Sequence, residues 1–138
     1  MKLIFLDIDG VLNQKGQQTQ KTCTVEEKQL VLLSDLIRQS GAAVILTSSW
    51  RLAVGEPWRD PLLKGGIPVS GQTARLNGNN RHREIELYLE EHAPVESFVI
   101  LDDQAGRWGK LRKNCVLVNP KAGLTEINIA QALNILGI

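Results

Sequence analysis

The sequence predicts an α/β fold, with a mainly parallel sheet and helices on both of its faces. Three observations predict it. Nearly continuous apolar runs at residues 2–8, 42–46, 97–101 and 115–118 suit strands buried on both sides. Segments with helical apolar spacing alternate with those runs. Polar residues follow directly on the carboxyl ends of three runs, where such sheets place their ligand crevice.

Each element follows in order. After the first run, residues 14–21 are polar and read as an exposed loop. Thr24 and Glu27 have capping-box spacing, and Leu30, Leu33 and Ile37 continue a helix that Gly41 is placed to end. The second run, 42–46, leads into an irregular stretch, 52–80, rich in Gly and Pro, with a short strand at 67–69. A helix over 83–91 carries Ile85 and Leu89 four apart, with Pro94 beyond its end. The runs 97–101 and 115–118 follow, and an amphipathic helix over 125–136 is stopped by Gly137.

At 138 residues the chain reads as one domain, 1–138, large enough to bury a core without staples. A net charge of +1 argues against a strongly basic nucleic-acid binder, although not against a local basic face. Cys23 and Cys115 have neither zinc nor disulfide spacing and read as free thiols. Asp7 and Asp9 cut the first apolar run too short for a signal peptide, and no run is long enough to span a membrane. A cytoplasmic protein without membrane contact is the expectation.

The first run ends in Asp7, with Asp9 just past it. The second ends in Thr47 and Ser48, and the third in Asp102 and Asp103. On one rim of a sheet these carboxylates repel unless a cation joins them, and oxygen-only ligands favour magnesium over zinc. One carboxylate can then attack an electrophile, while a second gives and takes protons. Gly10 permits the tight turn between them.

In order along the chain stand Leu6-Asp7-Ile8-Asp9-Gly10, then Val44-Ile45-Leu46-Thr47-Ser48-Ser49, a basic segment at Arg81–Arg83, and Phe98-Val99-Ile100-Leu101-Asp102-Asp103. These motifs resemble the haloacid-dehalogenase-like (HAD) superfamily of phosphohydrolases, over nearly the whole chain. The resemblance implies a three-layer Rossmann-like fold with strand order 5-4-1-2-3. It implies Asp7 as nucleophile, Asp9 as general acid/base, Thr47 as phosphate-binding hydroxyl with Ser48 as fallback, and Arg81 as the basic clamp. It also implies a Mg²⁺ site formed by Asp7, Asp9 through its main-chain carbonyl, Asp102 and Asp103. Gly10, Arg51 and Arg83 join the expected phosphate-binding set, and Lys64 is an alternative clamp. The segment Thr47-Ser48-Ser49-Trp50-Arg51 and the short gaps where cap domains would be inserted are similar to the capless HAD domains of multifunctional RNA-repair proteins.

Residues 51–83 hold six cations against two acids, and Arg107, Lys110, Arg112 and Lys113 form a second basic stretch. Both are expected to track a nucleic-acid backbone, with Trp50, Trp58 and Trp108 as candidate base-stacking faces. The expected activity is phosphatase action on RNA or DNA ends or nucleotides, beside other repair enzymes. Two other readings stay open: a magnesium- and phosphate-binding module with little turnover, and a receiver-like phosphoacceptor.

Overall fold

The computed structural model describes residues 1–15, 22–78, 80–106 and 108–138. Strands β1 (Lys2–Leu6), β2 (Ala43–Leu46), β3 (Val69–Gln72), β4 (Ser97–Asp102) and β5 (Cys115–Leu117) form one sheet in the order β3-β2-β1-β4-β5. Every neighbouring pair is parallel. This is the expected 5-4-1-2-3 order read from the other edge. Helices α1 (Glu27–Ser40), α2 (Arg59–Lys64) and α3 (Arg81–Glu91) connect the strands, with 3₁₀ segments at Ser49–Leu52 and Gly109–Asn114, and α4 (Glu126–Leu136) follows β5.

Strand periodicity divides the core into two layers. Ile4 and Leu6 of β1 face a layer built with Leu30, Leu33 and Leu36 of α1, Leu62 of α2, and Ile129 and Ala132 of α4. Leu3 and Phe5 face the opposite layer, with Ile85 of α3 and Leu111 of the second 3₁₀ segment. The four β1 side chains are at most 1% exposed, so each contributes about 2 kcal/mol of burial. This double burial is why β1 reads as an unbroken apolar run.

The helix ends depart from expectation at one point. Gly41 does close α1, with φ 69° and its N–H donating to the Ile37 carbonyl at 2.8 Å. Thr24 does not cap that helix: Glu26 occupies the N-cap without a side-chain bond, and the Thr24 carbonyl accepts instead from the Asn13 amide. The capping box lies on α4, where Thr125 and Asn128 bond reciprocally.

The irregular stretch holds one unpredicted helix, α2. Its Pro61 falls in the first turn, where the missing N–H has no intrahelical partner to lose. Strand β3 lies further along than expected. Ile67 is buried as the chain leaves α2, and the strand itself is a half-exposed edge of Ser70, Gly71 and Gln72 that reads as polar.

Between β1 and α1, and between β2 and β3, the described residues form only short loops, one 3₁₀ turn and α2, so no cap domain is evident. Residues 16–21 of the expected polar loop lie outside the described residues. Among the described residues no helix is long and apolar enough to cross a membrane.

Candidate active site

The sheet register brings three distant motifs into one row. Leu6 pairs with Leu46 on one side and Leu101 on the other. One residue further, the Thr47 N–H donates to the Leu6 carbonyl at 2.9 Å and the Asp7 N–H to the Leu101 carbonyl at 3.1 Å. Asp7, Thr47 and Asp102 therefore stand side by side on three adjacent strands. By the two-residue period they belong to the face of Phe5, Ile45 and Ile100, the face that α3 covers.

Helix α3 supplies the cation for this row from its first turn. Arg81 Nη1 donates to Asp102 Oδ2 at 2.7 Å and lies 3.4 Å from Asp7 Oδ2. Asp103 reaches the same place from the turn after β4. Asp7, Asp102 and Asp103 each offer a carboxylate oxygen within 4.8 Å of the others. Lys15 closes the far side, with Nζ 2.5 Å from Asp103 Oδ2.

Three buried carboxylates against two cations leave the cluster short of positive charge. Burial, followed by the charge of Asp102, raises the pKa of Asp7 to about 8 despite the opposing pull of Arg81. Burial also pushes Asp102 up, against Arg81. Lys15 is raised, chiefly by its hydrogen bond to Asp103. The other Asp103 oxygen, Oδ1, is buried without a hydrogen-bond partner. An oxygen-only cluster short of positive charge, with an unpartnered carboxylate oxygen, fits a hard divalent cation.

Thr47 is fully buried, yet its hydroxyl has no partner either. This buried hydroxyl, beside the Asp7 carboxylate, is free to meet a ligand atom. Ser48 is spent otherwise, since its Oγ accepts from the Trp50 N–H at 3.2 Å and caps the 3₁₀ turn. Gly10 has φ +83°, and a Cβ there would lie 2.6 Å from Asp103 Oδ2, so a side chain would strain the backbone and displace the Asp103 carboxylate. The Gly10 N–H donates to Asn13 Oδ1 at 2.8 Å.

Asp9 stands apart from the acidic cluster. Trp50 Nε1 donates to its Oδ2 at 3.0 Å, and Asn13 Nδ2 to its Oδ1 at 3.2 Å. The carboxylate of Asp9 is thus not in the candidate metal set, which leaves only its main-chain carbonyl for that role.

Three basic residues sit elsewhere than expected. Arg51 does not line the crevice. Its buried guanidinium donates to the carbonyls of Thr73, Thr47 and Ser48 and pairs with Glu84 at 3.2 Å, so it braces the strand end from behind. Arg83 is exposed on α3 and pairs with Glu86. Lys64 ends α2, just before β3 begins, on the side of the sheet away from the carboxylates.

The second basic stretch also turns away. A crossover between parallel strands must return to their amino ends, which carries Arg112 and Lys113 down to the start of β5. Arg107 lies outside the described residues. The tryptophans are not free stacking faces: Trp58 and Trp108 are 3% and 6% exposed, and Trp50 is half-buried and bonded to Asp9.

Sequence reasoning gave Trp50 a base-stacking role instead, and missed Asn13, Lys15 and Glu84 as parts of this site. Asn13 lies four residues from Asp9 and Trp50 three residues past Thr47, so proximity was the available signal.

An acidic, oxygen-only cluster on the carboxyl rim of a 5-4-1-2-3 parallel sheet defines a class, the HAD-type hydrolase domains of phosphatase kind. The family described as "HAD domain in Swiss Army Knife RNA repair proteins" matches residues 3–129, and the chain belongs to it. No curated protein matches the chain.

Proposed function

We propose that residues 1–138 act as one magnesium-dependent phosphomonoesterase domain working through an aspartyl-phosphate, on phosphorylated RNA or DNA ends or nucleotides. One observation carries this reading: Asp7 shares a cation-sized cluster with Asp102 and Asp103, while Arg81 and the orphaned Thr47 hydroxyl stand beside it. An oxygen of Asp7 attacks phosphorus, and the bond to the leaving oxygen breaks as Asp9 protonates that oxygen. Asp9 then takes a proton from water, whose oxygen attacks the same phosphorus and frees Asp7 and inorganic phosphate. Arg81 and Thr47 hold the non-bridging oxygens. Asp7, Asp102 and Asp103, with the Asp9 main-chain carbonyl, would hold magnesium, which supplies neutralisation of the charge that otherwise repels phosphate from a carboxylate.

The substrate class draws on the family's place in RNA-repair proteins, the open rim and the cations Lys15, Arg75, Arg81 and Arg83 on its side of the sheet. Such a domain suits work beside other repair enzymes. The test compares sugar phosphates, nucleotides and end-phosphorylated oligonucleotides at two salt concentrations, with Asp7→Asn as control. Salt-sensitive turnover of oligonucleotides is the expected result. Equal activity in Asp7→Asn would remove Asp7 as nucleophile, and turnover of sugar phosphates alone would remove the nucleic-acid assignment.

A further inference from the structure

Asp9 follows Asp7 by two residues, on a loop that leaves the sheet at Gly10. A carboxylate on such a loop has side-chain torsions that nothing in the strand ladder fixes. It is nevertheless held on both oxygens, by the Trp50 indole N–H at 3.0 Å and the Asn13 amide at 3.2 Å. Both donors are themselves fixed. Asn13 is 1% exposed, and its amide also binds the Gly10 N–H and the Thr24 carbonyl. Trp50 rides on the 3₁₀ turn that Ser48 caps and Arg51 ties to Thr47, Ser48 and Thr73, with Glu84 holding Arg51 in place. A chain of bonds therefore runs from α3 through Arg51 and Trp50 to Asp9.

We propose that Trp50 and Asn13 are positioning residues for Asp9, holding its carboxylate clear of the metal cluster and aimed at the leaving oxygen. The inference rests on the acid/base role given to Asp9 above. Each Asp9 oxygen accepts one hydrogen bond and keeps a lone pair for the proton being moved. Two fixed donors remove the rotamer freedom that would otherwise misplace that proton. Neither residue needs to touch the substrate.

Leaving-group dependence provides the test. An alkyl phosphate needs its leaving oxygen protonated, whereas a 4-nitrophenyl phosphate leaves well without help. Asp9→Asn should lower kcat/KM by roughly 100-fold more for the alkyl than for the aryl ester. Trp50→Phe, which keeps the packing and loses the N–H, should lower it about 10-fold more for the alkyl ester, with KM little changed. Asn13→Ser removes the donor on the other oxygen and should show the same selectivity; it carries the test if Trp50→Phe does not fold. Selective loss in Asp9→Asn but equal losses on both esters in the donor variants would overturn the positioning role alone. Equal losses in Asp9→Asn itself would overturn the acid/base role, and this inference with it.

Discussion

Two arginines, Arg51 buried and Arg81 partly exposed, mark two corners of this molecule that differ in charge balance. Arg51 meets one carboxylate, Glu84, and three carbonyls. Glu84 is completed by the Leu76 N–H at 2.8 Å. Arg81, a few residues from Glu84 on α3, meets Asp7 and Asp102 with Asp103 alongside, and the acids outnumber the cations. In the first corner the charges balance and both ionic partners are hydrogen-bonded, as suits a structural brace. The second keeps unpaired oxygens and unbalanced charge that a brace has no reason to retain, and that a ligand can complete.

The sharpest way to break the comparison is Asp7→Asn. Turnover should fall by roughly a thousandfold or more, as for loss of a nucleophile. The metal-free protein should nevertheless melt about 3 °C higher at neutral pH, because the folded chain no longer has to hold on Asp7 a proton that the unfolded chain releases. A variant both inactive and less stable would place Asp7 among the braces. Next in size is Arg51→Met, which leaves Glu84 buried without its counter-ion. It should cost about 3–5 kcal/mol in urea unfolding, and adding Glu84→Gln should recover part of that loss. No destabilisation would mean that Arg51 is not a brace.

The third prediction concerns pH. Asp7 has a folded pKa of about 8 against an ordinary 3.8. Between those values the folded chain keeps a proton that the unfolded chain has released, so the stability of the metal-free protein falls as pH rises through that window. Melting temperatures at pH 5 and pH 8 should show the fall, Asp7→Asn should flatten it, and saturating magnesium should restore stability at pH 8. The smallest effect belongs to Lys15, a half-exposed cation competing for Asp103. Lys15→Met should tighten magnesium binding about 3-fold by calorimetry. Weaker binding would instead make Lys15 a support for the site.

The strands were legible because β1, β2, β4 and β5 are buried on one or both faces and carry their burial in consecutive apolar residues; their order came from the family resemblance. Strand β3 was read two residues early because an edge strand need not be apolar. Helix α2 went unread because Gly and Pro surround it. At the site, Asp7, Thr47, Asp102 and Asp103 stood out because strand ends mark the rim. Arg51 was misassigned: nothing in a linear sequence separates an arginine facing the crevice from one turned behind it toward Glu84, 33 residues on. Proximity pointed to Trp50 and Asn13, but their bonds to Asp9 were not readable, since that meeting depends on how two loops fold back over one rim.

The row formed by Asp7, Thr47 and Asp102 also makes β1 intolerant of insertions. One extra residue anywhere between Lys2 and Leu6 would swing the carboxylate of Asp7 from the α3 side into the layer occupied by Leu33, Leu36 and Ala132. The chain could then keep its apolar packing or its reactive group in place, but not both. Length variation should therefore fall in the loops of this domain and spare its central strand.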